Sequence, residues 1–467
     1  MILALAATLA IVMQDHASLR AAPRAAAPEL VALWQGDVLE VRGERAGYLK
    51  VYDYRRERGG YVRGEAVRPL RLTEADAPEL LAVLRFLRDQ PGSEALGISY
   101  GAAYLKAVPP RALSAEAFDA IARMAERLAD AASGAGYSRA DVAAHLEVVT
   151  QFGIHMRTLE RDGRMQLCYD GELYRRVLTV PGASSEQRAH AVLGLTRLDC
   201  IDPDSGPVLR ASLDDERRRL LEGVGERDLS ALTRSRLHVR RATVWASIAF
   251  EEARRREAPQ VAAQLALTEL LAANADDLGD DRRAEYLDAV VRVGAIRWAA
   301  VPPAAALGSL ALTATTGDPG QTCVALEEAP GRHDAPLVRR CTYGIVWMAS
   351  AQPLAQGRGL VLAVQPLESW RELWVFHAGV GGWRIDVLSP CLDDPEEGYV
   401  EFAGFVPGTG RLLIARDVRQ RGRFRRSFEE LRLEDLALVR QASTPDLLRD
   451  FGRWQDVAWR RDTLALR

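Results

Sequence analysis

The chain has 467 residues, 48% hydrophobic and 27% charged, with a formal net charge of −3 at pH 7. That length exceeds one typical core, so about two to four domains are expected. The near-neutral charge excludes a global field that would draw the chain to nucleic acid or to an anionic membrane. Of its 61 basic residues only Lys50 and Lys106 are lysine, a skew that reads as base composition rather than arginine-specific recognition.

The chain begins "MILALAATLAIVM", a thirteen-residue apolar run followed by the polar "QDHASLR". A spanning helix needs about twenty residues, so the run fits the apolar core of a secretory signal. Thr8 and Ala10 are the small residues before a cut that would leave Ile11 first. Residues 1–10 are therefore expected to be a signal segment, the protein periplasmic or secreted, and membrane contact confined to the export signal. No Lys or Arg precedes the run. The alternative is a buried first strand or helix.

Three regimes follow. From 11 to 72 short apolar-polar alternations are punctuated by glycine, as in "QGDVLEVRG", "YLKVYDY" and "GGYVRGEAV", which predicts strands. From 73 to 302 the period becomes helical. Thr73 is a natural cap with Asp76 three residues on, and Leu80, Leu81, Leu84 and Leu87 share a helical face before Pro91-Gly92. Further helices are expected near 93–107, 114–134, 138–160, 185–199, 209–225, 227–256, 258–274 and 281–300. No clean repeat appears, so an irregular helical bundle or solenoid is expected. From 303 to 442 strand-length units return, including the hairpin "EFAGFVPGTGRLLIARDV". About three propeller blades would fit there, fewer than the usual minimum, so an antiparallel sandwich or partial propeller-like sheet is expected. Residues 443–467 read as a helical tail, a helix pair anchored by Phe451, Trp454 and Trp459. The fold class is multidomain α+β: a small N-terminal β-barrel, a central all-α region and a C-terminal β-rich domain.

Residues 16–70 resemble a bacterial SH3-like domain. "SLRAAP" stands where the family has its first strand, then "QGDVLEVRG", "GYLKV" and "GGYV" before "VRPL", in the family's order and spacing. The likeness covers about an eighth of the chain. It implies a small β-barrel and binding rather than catalysis, with cell-wall peptide or peptidoglycan as the ligand class. Alternation points Leu39, Val41, Leu49 and Val51 inward, and Val38, Glu40, Arg42, Tyr48, Lys50 and Tyr52 outward.

Trp34, Tyr48, Tyr52, Tyr54 and Tyr61 are the candidate ligand-binding residues, since an aromatic groove offers large contact area at low entropic cost. The competing role for these rings is to cover barrel seams and the interface with the helices. Arg55, Arg56 and Arg58 could hold an anion, but Asp53 and Glu57 among them point to a loop with internal ion pairs. "GISYG" at 97–101 matches G-x-S-x-G, a motif that needs a strand feeding a strained turn. Here it reads as one small-residue helix, so Ser99 is not expected to be a nucleophile. Cys168, in "MQLCYDGELY", is read as lying in a helix without a nucleophile's signature.

The five cysteines form no CxxC pair. Proximity suggests the disulfides Cys168–Cys200 and Cys323–Cys341 with Cys391 free, the alternative being buried free thiols. The seven histidines make no HExxH pair. His145 and His155 are read as one helical segment, about 15 Å apart. The acidic stretches 274–281 and 393–398 lack the oxygen spacing of a calcium loop, and no cofactor or metal is expected.

The leading expectation is an exported, non-enzymatic envelope protein. Its SH3-like module would bind a peptide, a glycan strand or its own helices, and its helical region would offer an interaction scaffold. A cell-wall hydrolase with its site in the helical or β-rich region, and a structural scaffold without an external ligand, are the alternatives.

Overall fold

The computed structural model describes residues 8–134, 138–161, 163–301, 307–328, 335–354, 359–379, 381–391, 397–420, 423–456 and 459–460. The chain divides into two compact units. The first is 1–207 with 220–230, and the second is 208–219 with 231–467.

The first unit opens with seven strands: β1 (Leu9–Val12), β2 (Ala17–Arg20), β3 (Glu29–Leu33), β4 (Val38–Arg45), β5 (Tyr48–Asp53), β6 (Arg58–Arg63) and β7 (Val67–Leu70). They form one antiparallel sheet in the order β3-β2-β6-β5-β4-β1-β7. Among the described residues no pairing joins β3 to β7, so the barrel expectation is met only as an open antiparallel sheet. Its inner face is one cluster including Leu19, Leu33, Leu39, Leu49, Val51 and Val62, with Val41 partly buried against it. Alternation had placed Leu39, Val41, Leu49 and Val51 there.

Strand β1 departs from the expected boundary. It pairs with β4 through Ala10 opposite Leu39 and with β7 through Val12 opposite Val67. Ala10 and Val12 enter the sheet's core, while Ile11 faces the other way into the helical core. A strand covered on both faces reads as continuously apolar, the pattern a signal core also has. A cut after Ala10 would divide this strand. Residues 1–7 lie outside the described residues.

The helices of this unit are α1 (Ala77–Arg88), α2 (Glu94–Ala107), α3 (Ala115–Ser133), α4 (Arg139–Thr150), α5 (Glu172–Thr179) and α6 (Ser185–Leu195). Thr73 and Asp76 form the expected reciprocal cap, and Leu80, Leu84 and Leu87 are buried. Helix α2 is buried around most of its circumference. A Cβ on Gly97 would stand 2.3 Å from the Met124 sulfur, and one on Gly101 2.5 Å from Ile121. The two glycines of "GISYG" thus let α2 and α3 approach closely.

The helix expected over 138–160 ends at Thr150. Gly153, with φ of +76°, turns the chain, and β8 (Met156–Arg161) pairs with β9 (Arg164–Tyr169) as a hairpin. Cys168 therefore lies in a strand, not a helix. His145 is in α4 while the exposed His155 precedes β8, so they do not share a helix. Cys168 bonds Cys200, with 5.7 Å between their Cα atoms.

The second unit contains helices α8 (Ala231–Arg254), α9 (Gln260–Ala272) and α10 (Gly279–Ile296), and the segment 208–219 of α7 (Pro207–Glu222). Ala242, Ala246, Ala263, Ala266 and Ala289 line their shared core, where small side chains let helices lie close. The β-rich expectation is met by two sheets. Strands β10 (Leu310–Thr316), β11 (Thr322–Glu328) and β12 (Val338–Thr342) form the first, in which Cys323 is directly opposite Cys341 and bonded to it. The second contains β13 (Ile345–Pro353), β14 (Gly359–Leu367), β15 (Trp370–Gly379), β16 (Gly382–Leu388), β17 (Glu397–Val406), β18 (Arg411–Gln420), β19 (Arg423–Arg432) and β20 (Leu438–Ala442). It forks at β15, which pairs antiparallel with β16 along most of its length and parallel with β17 at Trp370 and Arg371. The β17–β18 hairpin is the expected one. Of the expected helix pair, α11 (Arg449–Trp454) is described, and most of the second helix lies outside the described residues. Phe451 and Trp459 are buried against Phe428, with Trp454 partly buried beside them.

Charged groups are buried where α10 meets this sheet. Arg371, fully buried, donates to Glu401 at 2.8 Å and to the carbonyl of Gly294. Glu401 also accepts from Arg297 at 2.7 Å and from the Trp459 indole at 3.0 Å. Tyr399 donates to Asp417, which also accepts from Arg426 at 3.1 Å. Burial pushes the Asp417 carboxyl up to about 6, against the pull of Arg426.

Two measurements follow. Under denaturing, non-reducing conditions one thiol per chain, Cys391, is expected to react, rising to five after reduction. Five before reduction would remove both bonds. A carboxyl whose folded value is raised stabilises most below its unfolded value near 4, and loses that contribution as pH rises through about 6. The unfolding free energy of wild type relative to Asp417→Asn should therefore fall by about 2 kcal/mol between pH 4 and pH 7. Denaturant titrations at both pH values check this, and a difference that rises with pH contradicts it.

Candidate functional site

The outer face of β4, β5 and β6 carries the exposed aromatic cluster. Tyr52 stands opposite Glu40 on β4 and Gly59 on β6. The Arg42 guanidinium lies 4.1 Å from the centre of the Tyr52 ring, a stacked cation-aromatic contact. Arg42 also donates to Glu40 at 2.8 Å. The Tyr54 ring meets Tyr52 nearly edge-on, with centres 5.0 Å apart, and its hydroxyl donates to Glu40 at 3.0 Å. Hydrogen bonds from Arg42 and then Tyr54 hold the Glu40 carboxyl below its ordinary range. Tyr54 is 64% exposed although its hydroxyl is tied down. The four side chains thus hold the exposed Tyr54 ring in a fixed arrangement beside the half-buried Tyr52.

The five candidate aromatics do not form one groove. Tyr52 and Tyr54 come together. Tyr61 is half-buried on β6 opposite Lys50, and Tyr48 is buried opposite Arg63, so Tyr48 is not the open ring that alternation implied. Trp34 packs against the helical core, 4.3 Å from the His16 ring and 6.0 Å from that of His145. It fills the structural role foreseen for some of these rings. Sequence alternation set Glu40 and Arg42 outward but did not connect them with Tyr52 and Tyr54. Their i, i+2 spacing on one strand was the available signal.

The arginine loop after β5 is held from within. Asp53 accepts from the backbone N–H groups of Arg55 and Arg56, at 3.0 Å and 3.2 Å. Arg56 bridges Asp53 at 2.6 Å and Asp37 at 3.0 Å, and Arg55 joins Asp37 at 2.9 Å to Glu147 of α4 at 3.0 Å. Asp37 also accepts from the Trp34 N–H. Burial raises the Asp37 carboxyl, opposed by that N–H and by Arg56 and Arg55. The expected internal ion pairs thus involve Asp53, while Glu57 sits at the turn with φ of +49°.

The candidate nucleophiles are engaged elsewhere. Ser99 is buried in α2 and donates to the carbonyls of Gly36 at 2.6 Å and Ala95 at 3.0 Å. Cys168 is bonded to Cys200. His145 contacts Asp15 at 2.8 Å, His238 contacts Glu269 at 2.7 Å, and His377 contacts Asp386 at 2.7 Å. In the stretch 274–281, Asn274 accepts from the Asp276 N–H and Ser235 donates to Asp277. Most of 393–398 lies outside the described residues. Among the described residues no group of three or more His, Cys, Asp or Glu is placed to hold a metal ion, and no helix is long and apolar enough to cross a membrane. Comparison with family models, curated proteins and solved structures finds no match to the chain.

Because Asp37 and Asp53 are buried, removing their shared partner leaves two buried carboxylates with one cation fewer to offset their desolvation. Arg56→Ala should lower the unfolding free energy by about 2 kcal/mol or more, measured in urea. A loss below about 0.5 kcal/mol would place the pair among exposed surface bridges.

Proposed function

We propose that the chain is an exported, non-enzymatic envelope protein that binds cell-wall peptide or peptidoglycan through the Tyr52–Tyr54 face of its N-terminal sheet. The observation that carries this reading is the Arg42–Tyr52–Tyr54–Glu40 set. It keeps an exposed ring in place before any ligand arrives, which removes part of the ordering cost of binding. Rings so presented suit a sugar face or an extended peptide, and Arg42 and Glu40 add one group of each sign beside them. The likeness of 16–70 to bacterial SH3-like domains favours the same ligand class.

A periplasmic or secreted location is part of the proposal. Two cysteine pairs at bonding distance favour an oxidising compartment, and the apolar run at the start has the composition of an export signal's core. Engagement of Ser99 and Cys168 weighs against the hydrolase alternative at those two residues. The scaffold reading draws support from Trp34, which packs on the helices.

Retention of the full chain on purified peptidoglycan separates these readings. Tyr54→Ala is expected to weaken retention by about 5- to 30-fold, and Tyr52→Ala by a similar factor, as central aromatic contacts do. Retention unchanged in both variants, or absent in the wild type, would leave the scaffold reading standing.

A further inference from the structure

The first unit contains a cavity of about 130 Å³ on the side of the sheet that faces the helices. Ile11, Val38 and Leu70 line it from β1, β4 and β7, Ala103 from α2, and Phe152 from the turn after α4. None of the five candidate aromatics lines it. Its position follows from the packing. Ile11 and Val38 point away from the sheet's inner core, and α2 meets them with the small residues Ala102 and Ala103, leaving space that longer side chains would fill.

Three polar side chains border this space: Ser99, Lys106 and Gln151. The Ser99 hydroxyl is committed to two backbone carbonyls. Lys106 and Gln151 are the exposed lining residues, so they stand at the mouth. Lys106 is one of two lysines among 61 basic residues, and among the described residues it is the only charged group on the lining. Leu72, also on the lining, has φ of +56°, a left-handed conformation rare for a bulky side chain.

Size and charge together define the occupant. An apolar cavity of about 150 Å³ accommodates benzene, so this one admits a tail of roughly five or six carbons. A single cation at the mouth, which has donors and no acceptor, complements a carboxylate. Gln151 can add one amide donor. A peptide C-terminus would also bring a backbone N–H in need of an acceptor, and among the exposed side chains described on the lining Gln151 alone has one. We propose that the first unit binds a short-chain aliphatic monocarboxylate, its tail in this cavity and its carboxylate at Lys106. The site is separate from the aromatic face, so either assignment can fail alone.

Titration of the full chain with hexanoate, followed by calorimetry and by ligand-observed NMR, tests this. Hexan-1-ol and N-acetyl-leucine serve as comparison ligands. Hexanoate should bind with a dissociation constant on the order of 1 mM, and about tenfold more tightly than hexan-1-ol, the margin of one charge-assisted hydrogen bond. Lys106→Gln, an exposed substitution, should abolish that margin while hexan-1-ol still binds. Ala103→Leu should remove binding of both. If that variant does not fold, competition between hexan-1-ol and hexanoate on the wild-type chain tests whether they share the cavity. No saturable hexanoate binding, an unchanged margin in Lys106→Gln, or absence of competition would overturn the proposal. Tighter binding of N-acetyl-leucine than of hexanoate would overturn the free acid in favour of a peptide terminus.

Discussion

Strand β1 is the constraint on which the first unit depends. Its four residues supply Ala10 and Val12 to the inner core of the sheet and Ile11 to the helical core, while its backbone joins β4 on one side and β7 on the other. Two cores therefore share one strand. A polar residue at any of these three positions would be buried without a partner, whichever face it occupied. The apolar character of Ala10, Ile11 and Val12 is thus needed by the fold itself, apart from any role in export.

The second unit solves a different problem, since its helix-to-sheet contact is partly ionic. Glu401 accepts from Arg371, Arg297 and the Trp459 indole, so both its oxygens are satisfied away from water. Nearby, Arg292 of α10 reaches Asp288 at 3.0 Å and Glu397 of β17 at 3.0 Å. Such groups gain little over a well-packed apolar contact, but losing one partner is costly. Their geometry fixes which turn of α10 lies over which residue of β17. Gly294 permits that approach, because a Cβ there would stand 2.9 Å from the Tyr399 ring.

Much of this was legible in the sequence where a local rule was also the deciding one. The Thr73–Asp76 cap, the Leu80–Leu84–Leu87 face and the β17–β18 hairpin follow from short-range pattern, and the structure has all three. Both cysteine pairs were also correctly matched by proximity. The failures lie where tertiary burial overrides local pattern. "MQLCYDGELY" looks helical by composition, yet it spans the end of β9 and the start of α5, because Cys168 is tied to Cys200 and β9 pairs with β8. At the start of the chain local pattern left a strand and a leader both open, because a strand covered on both faces has no polar side to show. Of the candidate site, the rings were visible but not their grouping. Tyr52 and Tyr54 meet through Glu40 and Arg42, which are ten or more residues away in sequence, whereas Trp34 turns to the helices.

The bond between Cys168 and Cys200 has one more consequence. It joins two residues 32 positions apart in sequence and closes a loop that contains α5 and α6. A protease that cleaved the chain inside that loop would separate neither part from the other, since the two ends remain covalently joined. The nicked protein would remain one molecule until its thiols were reduced.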